Sequence, residues 1–282
     1  MSTAMQGKTC LVTGATDGIG LITARELARQ GAEVIIHGRS ADKGRRAVEQ
    51  IKQQTGNTVR FIQADFASLE EVRRLAREVN DSVDRLDVLV NNAGRAAAAT
   101  TEVSKDGYEM IFAVNHLAPF LLTHLLLDKL KNAPSARVVN VSSVAHKFKP
   151  LFDIDDLMSI KVKPLNTYSR SKFANILFSN ELAKRLVGTN ITSNALHPGT
   201  IRSNFGNEAT LTRVFYKLAA KLLKTPEQGA QTNIYLATSP EVEGKTGGYY
   251  ADSKLAPTHP KVQEAGLAAK LWEESEKLVG LR

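Results

Sequence analysis

The chain has 282 residues, 43% of them hydrophobic, with 19 glycines and 9 prolines, which supplies a sizeable core and excludes a collagen-like or low-complexity protein. Its 37 basic and 29 acidic residues leave a formal charge of +8, which admits an anionic partner such as nucleic acid, a lipid surface or a phosphorylated small molecule without selecting one. The single cysteine, Cys10, excludes an internal disulfide framework and any multi-cysteine metal site, and fits a reducing compartment.

At the amino terminus, Met1 to Gln6 carry no basic stretch followed by an apolar one, and no later window approaches about 18 uninterrupted apolar residues. The expectation is a soluble, cytoplasmic protein with no signal peptide and no integral membrane segment. Thr9–Thr13 then reads as a short apolar strand and Gly18–Gln30 as a helix, followed by strand Glu33–Gly38 and helix Ala41–Gln54. Further strands are read at Val59–Gln63, Leu86–Asn91, Arg137–Ser142 and Ile191–Leu196, with helical stretches near 69–80, 107–131 and 167–187 between them. Thr200 to Lys224 follows a Pro-Gly turn and carries Leu211, Val214, Phe215, Leu218, Leu222 and Leu223 at helical spacing among Lys and Arg. That stretch reads either as a lid over a pocket or as a surface helix whose apolar face joins the core. Gly247–Ala251 resembles a last strand and Val262–Val279 a closing helix.

Strands that are apolar throughout are buried on both faces, and their crossovers are long enough to hold helices. The pattern predicts an α/β protein with a doubly wound parallel sheet of about seven strands and helices on both faces. With no repeat, no run of five like charges and no Gly/Ser linker, residues 1–282 read as a single domain.

Directly after the first strand comes Thr13-Gly14-Ala15-Thr16-Asp17-Gly18-Ile19-Gly20. Three glycines there allow a tight turn, close approach of backbone to a pyrophosphate and close packing of a helix whose free N–H groups suit a phosphate. A loop that merely needs positive φ would carry the same glycines, so the position between strand and helix is what gives the turn its meaning. The spacing is Gly-x-x-x-Gly-x-Gly, one residue longer than the common dinucleotide fingerprint.

Taken with Asn91-Asn92-Ala93-Gly94 after the fourth strand and Tyr168-Ser169-Arg170-Ser171-Lys172 opening a later helix, this turn makes the sequence resemble the short-chain dehydrogenase/reductase family, from about Lys8 to Ala251. Val138 to His146 and Ser171 to Phe178 resemble its retinol-dehydrogenase-like branch. Relative to that branch, no amino-terminal membrane anchor is expected, and Arg95 followed by Ala96 to Ala99 stands where a bulkier apolar loop is usual. The resemblance implies a Rossmann-type fold and a nicotinamide cofactor held by Gly14, Thr16, Asp17, Gly18, Ile19 and Gly20.

At the carboxyl end of the second strand an acid would bond the ribose 2′-hydroxyl of NAD, whereas a basic residue would accept the extra phosphate of NADP. The chain has Gly38-Arg39-Ser40, so NADP(H) is favoured over NAD(H), with Arg39 carrying the weight and Ser40 able to donate a further bond. Lys43, Arg45 and Arg46 read equally as a solvated helix face, and Asp17 cuts against the preference. By resemblance Asp65 and Phe66 lie at the adenine, Asn91, Ala93 and Gly94 wall the ribose, and Pro198, Gly199, Ile201 and Ser203 sit beside the nicotinamide and phosphates. An Asp that caps the next helix explains Asp65 as well, and an Asn that stabilises the sheet explains Asn91 or Asn92 as well.

Tyr168 and Lys172, four residues apart, share one face of a helix. A tyrosine ionises near pH ~10 and needs nearby positive charge to serve as a base near neutrality. In the family such a pair makes Tyr168 the general acid or base, with Lys172 and the cofactor supplying the charge. Resemblance also makes Ser143 the donor that polarises the substrate oxygen, with Ser142 its rival, and Asn115 the residue that holds a water linked to Lys172; a kink-forming helix asparagine is the competing account of Asn115. His116 and His197 read as packing and structural residues, and no metal site is read.

The function expected is an NADP(H)-dependent oxidoreductase acting on a small apolar carbonyl or alcohol, retinal-like, steroid-like or aliphatic. A non-catalytic NADP-sensing protein is the alternative. Nucleic-acid binding lacks any recognition motif. The resemblance implies a homodimer or homotetramer paired through the long helices near 107–131 and 167–187.

Overall fold

The computed structural model describes residues 4–96, 100–148, 152–157, 164–201 and 224–282. Its strands are β1 (Thr9–Val12), β2 (Glu33–Gly38), β3 (Arg60–Gln63), β4 (Val88–Asn91), β5 (Ala136–Val141), β6 (Ile191–His197), β7 (Tyr249–Ala251) and β8 (Lys254–Leu255). They form one sheet in the order β3-β2-β1-β4-β5-β6-β7-β8, with every neighbouring pair parallel except β7–β8. The order reverses direction between β1 and β4, the topological switch at which open α/β sheets bind ligands beyond the carboxyl ends of their strands.

Side chains alternate across this sheet. Leu11, Ile35, Leu89, Val138 and Ala195 enter one core, while Cys10, Val12, Val34, Ile36, Val90, Val139 and Leu196 enter the other. The second core is closed by α1 (Gly18–Arg29), α2 (Ala41–Thr55) and, near the carboxyl end, α7 (Pro226–Thr238). The first is closed by α3 (Leu69–Ser82), the α4 segment over 110–125, α5 (Leu127–Lys131), α6 (Pro164–Arg185) and α8 (Leu267–Leu278). No helix among the described residues is long and apolar enough to cross a membrane.

Three elements differ from the sequence reading, each for a local reason. The helix expected near 107–131 is interrupted: Met110–Phe112 leads into a π-turn, Ala113–Leu117, before α-geometry resumes at Ala118–Leu125. Pro119 has no N–H, so the Asn115 carbonyl loses its i+4 donor, and the wider turn forms where that bond is missing. The closing helix does not run from Val262. It begins at Leu267, behind Gly266 in left-handed conformation (φ 77°), and a 3₁₀ turn at Pro260–Gln263 precedes it. The eighth strand, two exposed residues long, is joined to β7 through Asp252 and Ser253, both at positive φ, as a primed two-residue hairpin turn requires.

The carboxyl-terminal helix α8 roofs the two long helices. Its Trp272 meets Phe120 of α4 edge-on at 5.1 Å between ring centroids and stacks on Phe178 of α6 at 6.0 Å, and the Arg185 guanidinium sits 4.5 Å over the indole. Of the stretch expected as a lid, 200–224, only the two ends are described. They meet, the Lys224 N–H donating to the Thr200 carbonyl at 2.9 Å, and the rest of that expectation lies outside the described residues.

Candidate active site

The glycine turn is riveted to the end of β4 by Thr13 and Asn92. Thr13 Oγ1 donates to the Val90 carbonyl (3.2 Å) and accepts from the N–H groups of Asn92 and Ala93 (3.0 Å each). Asn92 Nδ2 donates back to the carbonyls of Thr13 (2.8 Å) and Gly14 (3.1 Å). Gly14 lies at φ 63°, and a Cβ on it would stand 2.7 Å from the Ala93 Cα; a Cβ on Gly20 would collide with the Gly14 carbonyl and the Asn92 side chain. Neither position admits a side chain. Thr16 packs on Gly38, where a Cβ would fall 2.5 Å from its methyl, and Ile19 and Ile201 close on Gly229 of α7. Asp17 caps α1 by accepting from the Gly18 N–H at 2.8 Å. The result is a tightly packed turn at a helix N-terminus, with open space beside Gly18, and a pyrophosphate fits such an arrangement.

Beyond this cradle, Ser40 caps α2 and accepts from the Lys43 N–H, while Arg39 is exposed and its carbonyl is held by Gln63 Nε2 at 3.1 Å. Lys43 Nζ lies 3.6 Å from Asp17 Oδ2, so the acid that weighed against NADP has a cation beside it. Asp65 Oδ1 accepts from the Ala67 N–H, but the cap of α3 is Ser68, so helix capping does not account for Asp65. Phe66 is buried and stacks on His37, centroids 4.2 Å apart and planes 17° apart.

His37 went unremarked in the sequence, although a histidine in the run Val34-Ile35-Ile36-His37-Gly38 breaks an otherwise apolar strand. Its Nδ1 accepts from the Gly14 N–H at 3.3 Å, which leaves Nε2 as the donor to the Ala64 carbonyl at 3.0 Å. Burial pushes its pKa down to about 4, so the ring is neutral near pH 7 and couples the glycine turn to the segment before Asp65.

Asn91 faces the opposite way. Its Nδ2 donates to Thr123 Oγ1 (3.0 Å) and Asn140 Oδ1 (2.9 Å), and Asn140 continues to Ser179 and Ser193, so this side chain holds sheet to helices. Ala93 and Gly94 carry the chain across the head of β1 and β4. A Cβ on Gly94 would stand 3.3 Å from Asn115 Oδ1 and 3.4 Å from Lys172 Nζ, which brings these three residues together.

Lys172 is 3% exposed and donates from Nζ to the Val141 carbonyl at 3.1 Å. Burial pulls its pKa down to about 8. Nζ also lies 5.8 Å from the centre of the Tyr168 ring, one helical turn back and half-buried. Ser142 is buried and gives its hydroxyl to the Lys172 carbonyl at 2.6 Å, whereas Ser143 is half-buried and accepts from the Ala145 N–H at 3.1 Å. Alternation along the strand therefore turns Ser143, not its rival, to the open side. Asn115, within the π-turn, clasps the backbone of Arg95: Oδ1 accepts from its N–H at 2.6 Å and Nδ2 donates to its carbonyl at 3.0 Å, and to Ser171 Oγ at 3.0 Å. Arg95 in turn pairs with Glu102.

Pro198, Gly199 and Ile201 follow β6. Gly199 stands at φ 95° with the Lys224 stem against it, and Ser203 lies outside the described residues. His197 is held near neutral form, burial first and Lys224 second pushing its pKa down to about 4.

A doubly wound sheet with a glycine cradle at its switch point, and a desolvated lysine one turn from a tyrosine beside it, defines a nucleotide-dependent oxidoreductase. Residues 8–213 match the short chain dehydrogenase family. Over 98% of the chain and 87% of the relative, the sequence is 44% identical to retinol dehydrogenase 14 of Mus musculus. Among solved structures, an uncharacterised protein of Mycobacterium paratuberculosis aligns with TM-score 0.79 at 32% identity, covering 99% of this chain and 97% of that one. A short chain dehydrogenase of Escherichia coli complexed with NADPH aligns with TM-score 0.73 at 26% identity, covering 89% and 99%. The chain belongs to the short chain dehydrogenase family and is an NAD(P)-dependent oxidoreductase of its retinol-dehydrogenase-like branch.

Five of the six histidines, His37, His116, His124, His146 and His197, have pKa values lowered mainly by burial from the usual 6.5. Unfolded, each takes a proton near pH ~6.5, whereas in the native fold burial lowers every one of these values, so their contribution to stability is complete above that pH and is lost as pH falls below it. Urea denaturation should accordingly show a lower midpoint at pH 5 than at pH 7.5. An equal midpoint would contradict the neutral, buried imidazoles described above.

Proposed function

We propose that this chain, acting as a single domain, is an NADP(H)-dependent oxidoreductase that interconverts a small apolar carbonyl compound and its alcohol. The observation that carries the reading is the desolvated Lys172 ammonium packed against Gly94 and Asn115 and set 5.8 Å from the Tyr168 ring. Gly14, Thr16, Gly18, Ile19, Gly20, Asp65, Ala93, Gly94, Pro198, Gly199 and Ile201 are assigned to holding the cofactor. When bound, the nicotinamide supplies a hydride to the carbonyl carbon or accepts one from the alcohol carbon.

Tyr168 gives its hydroxyl proton to the substrate oxygen in reduction and takes it back in oxidation. Ser143 Oγ donates a hydrogen bond to that oxygen and holds it beside the tyrosine. Lys172, largely cationic at neutral pH with its pKa near 8, favours the phenolate that remains on Tyr168. Asn115 orients the Arg95 backbone with its side chain, and its carbonyl, deprived of an i+4 donor by Pro119, is assigned to the water that returns the proton.

Arg39, exposed at the end of β2, is assigned to the 2′-phosphate of NADP with Ser40, and Lys43 offsets Asp17 there. An apolar substrate is supported by Val144 and Phe148, both exposed just after Ser143, and by the retinol dehydrogenases among the relatives. Pairing of two copies through the long helices is compatible only with faces that α8 leaves open.

Purified protein with NADPH and a panel of retinal, ketosteroids, aliphatic aldehydes and quinones should consume nicotinamide absorbance with at least one of them. Cofactor binding with no turnover across the panel would favour the non-catalytic sensing role instead. Arg39→Asp should lower the ratio of NADPH to NADH efficiency by about tenfold or more, the loss of one charge-assisted contact, and an unchanged ratio would remove the phosphate assignment.

A further inference from the structure

Of the run Val138 to His146, the proposed reaction uses only Ser143, and the histidine that ends the run is buried at 1% exposure. His146 lies in the 3₁₀ turn Val144–Lys147, whose cap is Ser143. Its ring is engaged at both nitrogens. Nδ1 stands 2.6 Å from the Ser143 carbonyl oxygen, and Nε2 stands 3.2 Å from the backbone nitrogen of His259. A carbonyl only accepts and a backbone N–H only donates, so these partners admit one state of the ring: neutral, with its proton on Nδ1. The imidazolium would set N–H against N–H at Nε2, and burial opposes it as well.

The Ser143 carbonyl thereby takes two donors, Nδ1–H at 2.6 Å and the His146 N–H at 3.2 Å, one for each lone pair. Together they set the plane of the peptide between Ser143 and Val144. That peptide leads into the turn whose Ala145 N–H reaches back to Ser143 Oγ at 3.1 Å. Ala145 donates to the oxygen, so the hydroxyl hydrogen remains to be given. The far side of the ring is anchored in the segment after β8. His259 caps the 3₁₀ turn Pro260–Gln263, its Nδ1 accepting from the Lys261 N–H at 3.1 Å, and Lys261 Nζ donates to the Phe152 carbonyl at 2.8 Å. Tyr249 of β7 meets the imidazole edge-on, with 5.1 Å between ring centroids.

We propose that His146 is a positioning residue for Ser143: its Nδ1–H, fixed as the protonated nitrogen by the His259 N–H, holds the peptide after Ser143 and with it the direction of the serine hydroxyl. The inference rests on the role given to Ser143 as donor to the substrate oxygen.

Two substitutions take the two bonds apart. In His146→Asn the amide nitrogen stands where Nδ1 stood and still donates to Ser143, but nothing reaches His259. In His146→Gln the amide oxygen stands where Nε2 stood and still accepts from His259, but Ser143 loses its side-chain donor. In the unliganded protein, amide hydrogen exchange at Ala145 and residue 146 should quicken by about fivefold or more in His146→Gln, and at His259 in His146→Asn. Unchanged exchange at Ala145 and residue 146 in His146→Gln overturns the clamp, whatever the enzyme turns over.

Reduction is then followed in single turnover with bound NADPH and the compound of the carbonyl panel that the wild type reduces fastest. Ser143→Ala should slow it by about 10²-fold or more, the worth of a polarising donor. His146→Gln should slow it by about tenfold or more, with His146→Asn about threefold or more faster than that variant. On top of Ser143→Ala, His146→Gln should change the rate by less than about twofold, because its effect runs through the serine. A loss of packing alone slows both backgrounds by the same factor, and that result, or equal rates in the Asn and Gln variants, overturns the proposal. An undiminished rate in Ser143→Ala defeats the assignment of the serine itself, a failure that the exchange data distinguish from failure of the clamp. If His146→Gln does not fold, long-range ¹⁵N–¹H spectra of the wild-type imidazole decide: the Nδ1–H tautomer is expected at His146, and an Nε2–H tautomer overturns the proposal.

Discussion

Lys172 gives up nearly all of its water on folding, and the surroundings return only part of what that costs. One proton goes to the Val141 carbonyl at 3.1 Å, and no carboxylate is placed against the ammonium among the hydrogen bonds and ion pairs of the described residues. An unpaired buried cation would ordinarily be a liability of several kcal/mol, relieved by loss of its proton. Here the depression stops near 8, which leaves the group charged for most of the time at neutral pH and able to release a proton. The rest of the site is arranged to keep that compromise: Gly94 has no side chain to crowd Nζ, Tyr168 lies one turn away, and Asn115 closes the loop over both.

Strand ends provide the rigidity this needs. Thr13 and Asn92 join β1 to β4, Asn91 joins β4 to β5 through Asn140, and Ser142 joins β5 to the backbone of Lys172 itself. Each of these bonds is buried or half-buried and draws on a short side chain with few rotamers, so the entropy spent on ordering it is small. His37 extends the same framework towards the adenine side, fixed as one tautomer by a donor on one nitrogen and an acceptor on the other. The glycine turn and the backbone of Lys172 are therefore held by one hydrogen-bonded frame that spans three adjacent strands.

Much of this was legible in the sequence because period and punctuation agree: β2 was read to the residue, α1 and α2 to within one residue at their carboxyl ends, and the eight-stranded sheet contains the parallel strands expected. What escaped was what periodicity does not encode. The π-turn at Ala113–Leu117 depends on a single missing N–H at Pro119, which a window average over apolar residues does not register. The sequence offered Asn92 as a stabiliser of the sheet but not its partners, and gave Thr13 no such role, since the residues they bind are nearly eighty positions away. For Asn91 the sequence left ligand contact and sheet stabilisation equally open, and its hydrogen bonds to Thr123 and Asn140 match the second; Phe66, placed at the adenine by resemblance, stacks on His37.

The central claim is that Tyr168 transfers the proton within a site whose cofactor cradle is built independently of it. The most direct test is single-turnover carbonyl reduction with bound NADPH, comparing wild type with Tyr168→Phe and measuring NADPH affinity in both. The account predicts an affinity within about twofold and a reduction rate lower by about 10²- to 10⁴-fold, the usual worth of a positioned general acid. A variant that binds NADPH normally and reduces the substrate at the wild-type rate would contradict it.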